Sequence, residues 1–114
     1  SDVYKRQVRD VRMSEQVEEY LVQIILATRN SEKYGGNLSD WLEFGASPRA
    51  TIALDICSKS LAWLDNRNFV TPDDIRSIAH DVLRHRLILS FEAEANGISS
   101  DQVVDELLKV VPSA

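Results

Sequence analysis

The residues with the clearest chemical potential stand together at Gly45-Ala46-Ser47-Pro48-Arg49-Ala50. Ser47 suits a helix N-cap, where its hydroxyl can accept from a first-turn N–H that has no partner within the helix. Pro48 then takes the first helical position, where its fixed φ fits and its missing N–H costs nothing. Arg49 is the odd member, because a cation in the first turn opposes the helix macrodipole by about 0.3–1 kcal/mol at an exposed site. A bound anion would reverse that sign, since free N–H groups, the dipole and the guanidinium would converge on it. The residues alone leave two readings open: a solvated arginine, or an anion site formed by Arg49 and Ser47 at the start of a helix.

Other candidates reduce to structural roles. Asp73 and Asp74 could pass for paired catalytic carboxylates or metal ligands. Adjacent helix positions point about 100° apart and no third ligand stands nearby, so capping and dipole compensation behind Thr71-Pro72 is the better account. Arg84-His85-Arg86 closes the same helix, where cations suit the C-terminal dipole; an anion-facing role is the alternative. His80 and His85 are five residues apart, not the four that would stack two metal ligands on one face. There is no Gly-rich phosphate loop, no metal-spaced His/Cys set and no nucleophile–base pair, so the chain carries no complete active site.

Helices must position these groups. Ser14 begins the first, with Val17, Tyr20, Leu21, Ile24, Ile25 and Thr28 as one apolar stripe and Asn30 at its end. Residues 31–46 form a long connection with a turn at Gly35-Gly36-Asn37 and a short helical turn around Leu38–Leu42. Such a connection either packs back on the domain or sets the Ser47 helix end against something else. The central helix runs from Pro48 to about Leu64. Its predicted stripe is Ala50, Ala53, Leu54, Cys57, Leu61 and Leu64, widened by Ile52, Ile56 and Trp63, which predicts burial on most faces. Cys57 on that stripe reads as a small hydrophobe. Asp65-Asn66-Arg67-Asn68 is a polar turn, and Thr71 caps a helix that reaches about Arg86, with Val70 and Ile75 as its staple. Leu87–Phe91 fits either a short strand or continued helix. Ser99 to Gln102 is a capping box, with Ile98 and Val103 as staple, for a last helix stopped by Pro112. Residues 1–13 do not read as packed structure: Val11 and Met13 alternate weakly, like a short strand or extended linker, and without an initiator Met the segment is expected to be linker or foreign, its first few residues above all.

One domain fits the 114 residues, with residues 14–114 as its folded part. Four glycines and three prolines favour helices over a loop-rich β chain. The expected fold is therefore all-α: a small bundle of four to five helices, allowing for one short strand pair. A net charge of −5 disfavours a general nucleic-acid binder, although a helical nucleic-acid-binding or protein-interaction module remains the alternative function. No apolar run reaches the roughly 18 residues of a membrane span. Cys57 is the only cysteine, which excludes an internal disulfide and suggests a reducing, cytoplasmic setting.

Leu38–Leu54, LSDWLEFGASPRATIAL, together with Asn66–Ser99, NRNFVTPDDIRSIAHDVLRHRLILSFEAEANGIS, resembles the C-terminal lid of MoxR-type AAA+ ATPases. The resemblance covers nearly all of Ser14–Pro112, and its specificity lies in the combination of GASPRA, VTPDDI and LRHR. It implies that Arg49 is the second-sensor arginine, reaching the γ-phosphate of ATP. It further implies ATP and magnesium bound mainly by an ATPase core domain that this chain lacks, and a ring of like subunits with chaperone-like activity. Von Willebrand A-type proteins are the partners the resemblance suggests. Catalysis would belong to the full-length ATPase and not to this chain alone.

Overall fold

The computed structural model describes residues 7–8 and 10–113. Helix α1 (Glu15–Arg29) starts where the Ser14 hydroxyl accepts from the Val17 N–H at 3.2 Å, with Glu15 and Glu18 in the first turn. It buries the stripe from Val17 to Thr28 that its periodicity predicts. The connection that follows holds a 3-10 turn (Ser31–Lys33), the one-turn helix α2 (Leu38–Trp41) and strand β1 (Leu42–Phe44). Leu38 and Leu42 enter the main core, so this connection packs back on the domain.

Helix α3 (Pro48–Leu64) buries only part of the predicted stripe: Ala50 and Leu54 are buried and Ala53, Leu61 and Trp63 half-buried, but the stripe is rotated at its second half. Ala50, Leu54, Ser58 and Ala62 point inward at four-residue spacing, while Ile52, Ile56, Cys57 and Leu64 are exposed. The inward stripe is mostly small, which brings the α3 backbone close to its neighbours α1 and α4 (Pro72–Leu83). Ser58 is buried at little cost because its hydroxyl donates to the Asp55 carbonyl at 3.0 Å. Counting large apolar side chains therefore draws the stripe toward Cys57 and Leu64 and away from Ser58 and Ala62, and Cys57 is not a core residue.

The polar turn after α3 does more than end it. Asn66 sits at φ +59°, its N–H donates to the Trp63 carbonyl at 3.0 Å, and the Arg67 N–H donates to the Ala62 carbonyl at 2.9 Å. This Schellman turn delivers Arg67 to the start of α4. The guanidinium donates to both oxygens of Asp74, at 2.8 and 2.7 Å, and to Asp65 at 2.9 Å. Asp74 also closes a capping box with Thr71: its carboxylate accepts from the Thr71 N–H at 2.8 Å and its N–H donates to the Thr71 hydroxyl at 3.3 Å. Val70 and Ile75 are buried as the staple.

α4 ends at Leu83, ahead of the predicted Arg86. Leu87–Phe91 then divides between strand and helix: β2 (Ile88–Leu89) pairs antiparallel with β1, and α5 (Phe91–Ala95) begins where the Ser90 hydroxyl accepts from the Ala93 N–H at 3.1 Å. Helix α6 (Ser100–Val110) carries the predicted Ser99/Gln102 capping box. The all-α expectation, strand pair included, is the architecture found: α1, α3, α4 and α6 share one core, and α2, α5 and the ribbon extend it.

The described part of the N-terminal segment is packed, against expectation, while its strand-like form at Arg12 agrees with the weak alternation of Val11 and Met13. Val8 and Val11 are buried, and Arg12 bridges Phe69 in parallel, its N–H donating to the Asn68 carbonyl at 2.7 Å and its carbonyl accepting from the Val70 N–H at 2.8 Å. Residues 1–6 and 9, with the reading of the first residues as foreign, lie outside the described residues. Among the described residues, no helix is long and apolar enough to cross a membrane.

Burial of the Asp74 carboxyl opposes its ionisation, but the Arg67 hydrogen bonds, the Thr71 N–H and the guanidinium charge outweigh this and hold it below the ordinary carboxylate range. The unfolded chain accordingly binds the proton at higher pH than the folded one. The stability from this contact is full above about pH 4 and is lost as pH falls through the lower folded value. Asp74→Ala is expected to cost about 2–4 kcal/mol through the lost cap and charge-assisted bonds. Urea melts from neutral to acid pH check both points, since Asp74→Asn should flatten the acid limb.

Candidate functional site

The N-terminus of α3 is fixed by the end of α1. A Cβ built on Gly45 would fall 2.1 Å from the Thr28 backbone oxygen and 2.9 Å from the Arg29 nitrogen, so only glycine allows the two backbones to approach this closely. The Thr28 hydroxyl donates to the Ile25 carbonyl at 2.7 Å and accepts from the Ala46 N–H at 3.0 Å. This satisfies a buried donor at the loop's tightest point. Ala46 and Ala50, 1% and 0% exposed, seat the segment on either side of the helix start.

Between these anchors Ser47, Pro48 and Arg49 face solvent. Ser47 occupies the N-cap position in extended backbone, but its hydroxyl makes no capping bond. The Ala50 N–H instead donates to the Ser47 carbonyl at 2.9 Å in a tight first turn. The predicted side-chain cap is thus absent, and the hydroxyl stays exposed beside Arg49. The first turn of α3 contains no acidic residue, and among the described residues the Arg49 guanidinium has no hydrogen bond or ion pair.

Arg12 and Arg29, both exposed, likewise have no side-chain hydrogen bond or ion pair among the described residues, whereas four other arginines are engaged within the bundle. Arg67 clamps Asp74; Arg76 donates to the Tyr20 hydroxyl and the Leu108 carbonyl, both at 3.2 Å. Arg84 donates to Asp101 at 3.0 Å and to Asp81 at 3.4 Å, and the Asp101 contact raises it further above its usual value. Arg86 turns back to the Val82 carbonyl. The basic cluster Arg84-His85-Arg86 therefore ties the end of α4 to itself and to α6. His80 binds Asp105 at 2.7 Å, and among the described residues no group of three or more His, Cys, Asp or Glu could hold a metal ion.

A recess of about 530 Å³ adjoins the helix start, lined by Arg29, Glu32, Glu43, Phe44, Ser47 and neighbours. Two carboxylates in it oppose an anion, and Arg49 lies outside it. What the arrangement offers chemically is an exposed guanidinium with the Ser47 hydroxyl, on a rigid helix end whose dipole is positive. Sequence reasoning singled out Arg49 and Ser47 as candidates and did not foresee that Thr28 and Gly45 hold the segment that carries them. The available signal was a glycine directly ahead of a buried alanine and a helix start, a mark of close backbone approach.

Residues 39–107 match the AAA lid domain family. The chain is 40% identical over 94 residues to Chaperone MoxR1 of Mycobacterium tuberculosis, covering 82% of this chain and 25% of that protein. It is 35% identical over 107 residues to the uncharacterised protein YeaC of Bacillus subtilis, covering 94% of this chain and 31% of the other. A crystal structure of a candidate ATPase from Cytophaga hutchinsonii superimposes with a TM-score of 0.89 at 38% identity, over 96% of this chain and 33% of that one. The chain thus spans between a quarter and a third of the length of these proteins.

Gly45→Ala is expected to destabilise the domain by about 1–3 kcal/mol or more, because the added methyl meets backbone that cannot step aside. Thr28→Val keeps the shape but leaves the Ala46 N–H unpaired, at a cost of about 1–3 kcal/mol. Thermal melts of the two variants measure these losses; an unchanged midpoint in both would mean the junction does not hold α3.

Proposed function

The chain belongs to the AAA lid domain family, of the MoxR type, and from that premise we propose that Arg49 is its contact with the γ-phosphate of ATP. What supports this reading is the state of Arg49: exposed, without a side-chain partner among the described residues, and in a first turn that contains no acid, on a helix end held firmly by Gly45 and Thr28. A first-turn cation without a partner is mildly unfavourable by itself. It becomes favourable when an anion arrives, and a planar guanidinium suits the bidentate geometry of phosphate oxygens.

In this reading the lid supplies binding and orientation. ATP with its magnesium, held mainly by an ATPase core domain, supplies the phosphoryl group to be transferred. Arg49 neutralises charge on the terminal phosphate, and the Ser47 hydroxyl is a second, neutral donor at the same helix end. The residues present fit such a group: the N-terminal dipole, the guanidinium and the hydroxyl have the right sign, and no acid opposes them in the first turn. The reading extends to a ring of like subunits with chaperone-like action, to von Willebrand A-type partners and to a cytoplasmic setting. Its support there is the likeness to MoxR proteins.

In the full-length ATPase, Arg49→Ala is expected to impair turnover while leaving the melting temperature of this domain within a degree or two. A charge-assisted bond of roughly 1.5–3 kcal/mol, made in the transition state alone, corresponds to about ten- to 150-fold in rate. If the bond is equally strong in the ground state, the loss appears in KM instead. Arg49→Lys should rescue poorly, since it keeps the charge but not the fork. Steady-state ATPase kinetics of the three proteins decide the matter; unchanged kinetics for Arg49→Ala would remove the residue from the site.

A further inference from the structure

The four core helices begin in two ways. α1, α4 and α6 each open on a capping hydroxyl of their own, from Ser14, Thr71 and Ser99. α3 does not, since the Ser47 hydroxyl makes no capping bond. Its entry is held by a side chain of another helix: Thr28, 3% exposed near the end of α1, accepts from the Ala46 N–H at 3.0 Å. The same hydroxyl donates to the Ile25 carbonyl at 2.7 Å, so it is committed both as donor and as acceptor and its rotamer is fixed. From Ala46 to Arg49 the backbone keeps little freedom. Ser47 is extended at φ −75° and ψ 166°, its carbonyl accepts from the Ala50 N–H at 2.9 Å, and the ring of Pro48 sets the next φ. The backbone origin of Arg49 is therefore set from α1, through a hydrogen bond on the third residue before it.

We propose that Thr28 is a positioning residue for Arg49, its hydroxyl setting where the guanidinium meets the terminal phosphate. The inference rests on the reading of Arg49 as a phosphate contact, and it adds a residue of a different helix that touches no nucleotide. A guanidinium–phosphate bond is short and directional, so a small displacement of the helix start lowers turnover while burial and charge stay the same. Without the Thr28 hydroxyl the Ala46 N–H is left buried and unpaired. The entry segment relieves this by moving toward water or another acceptor. Pro48 passes the movement on to Arg49, because its φ cannot absorb it. Gly45 and the buried Ala46 and Ala50 side chains exclude positions by contact without favouring one direction, whereas a hydrogen bond is directional. A purely structural Thr28 would cost stability and leave the turnover of each folded molecule unchanged.

The test is a double-mutant cycle on the steady-state kinetics of the full-length ATPase. Thr28→Val deletes both hydroxyl bonds at constant shape, Thr28→Ala deletes them with a smaller side chain that folds more readily, and Thr28→Ser keeps them. Val104→Ala, in the core of α6, is a control that only destabilises. All are assayed well below their melting midpoints, with circular dichroism giving the folded fraction of each. Thr28→Val and Thr28→Ala are expected to change the constant that Arg49→Ala changes, kcat or KM, by at least about threefold and by no more than Arg49→Ala itself. Thr28→Ser should keep most of the wild-type value, and Val104→Ala should leave both constants unchanged. With Arg49→Ala already present, the valine and alanine changes should add less than about twofold, because the group they position is gone. An equal factor in both backgrounds, no kinetic effect with Arg49 intact, a serine variant as poor as valine, or a comparable loss in Val104→Ala would overturn the proposal and leave Arg49 as the contact. Unchanged kinetics for Arg49→Ala would overturn both.

Discussion

The Thr28 hydroxyl and the backbone beside it fix where α3 begins. Gly45 lies against the carbonyl end of α1, and the Ala46 N–H is held by the Thr28 side chain. A helix that starts from such a junction cannot slide or rotate without leaving a buried donor unpaired. The alanine and serine stripe of α3 then fits closely against its neighbours, and the exposed positions follow from that phase. Arg49 faces solvent because Ala50 faces the core.

The two ends of α3 handle charge in opposite ways. At its C-terminus the Schellman turn carries Arg67 onto Asp74, and one carboxylate serves both an ion pair and a capping box. At its N-terminus an exposed arginine has no side-chain partner among the described residues and the cap position contributes no side-chain bond. A folded domain gains nothing from the second arrangement on its own, since the helix dipole disfavours a cation there. Such a local conflict, set on a firmly held element, is where a functional contact is expected.

The apolar surface tells a related story. Small residues bury the inner face of α3 and leave Ile52 and Ile56 outside, while the β1–β2 ribbon leaves Phe44, Ile88 and Phe91 outside. One domain thus presents apolar residues on two separate elements, each with acidic residues nearby: Glu43 beside Phe44, and Glu18 and Asp55 beside Ile52 and Ile56. Both accord with a module that works against other protein surfaces.

The helix starts were legible because capping is local. Ser14, Thr71-Pro72 and Ser99 act within four residues of chain, and each placed its helix correctly. Arg49 stood out as a candidate for the same reason, as a charge that contradicts a local rule. The buried face of α3 was legible only in part, because apolar content cannot distinguish a stripe of Ala50, Ser58 and Ala62 that permits close approach from a stripe of larger residues that fills space. The Ser47 cap was wrong although its backbone position was right: the Ala50 N–H donates to the Ser47 carbonyl and the hydroxyl turns elsewhere, a side-chain rotamer that residue types do not reveal. Thr28 with Ala46, Arg67 with Asp74, and Arg12 with Phe69 join segments distant in the chain or divided by a turn. Their geometry exists only once the helices have packed, so tertiary structure alone decided which polar groups were engaged and left Arg49 without a partner.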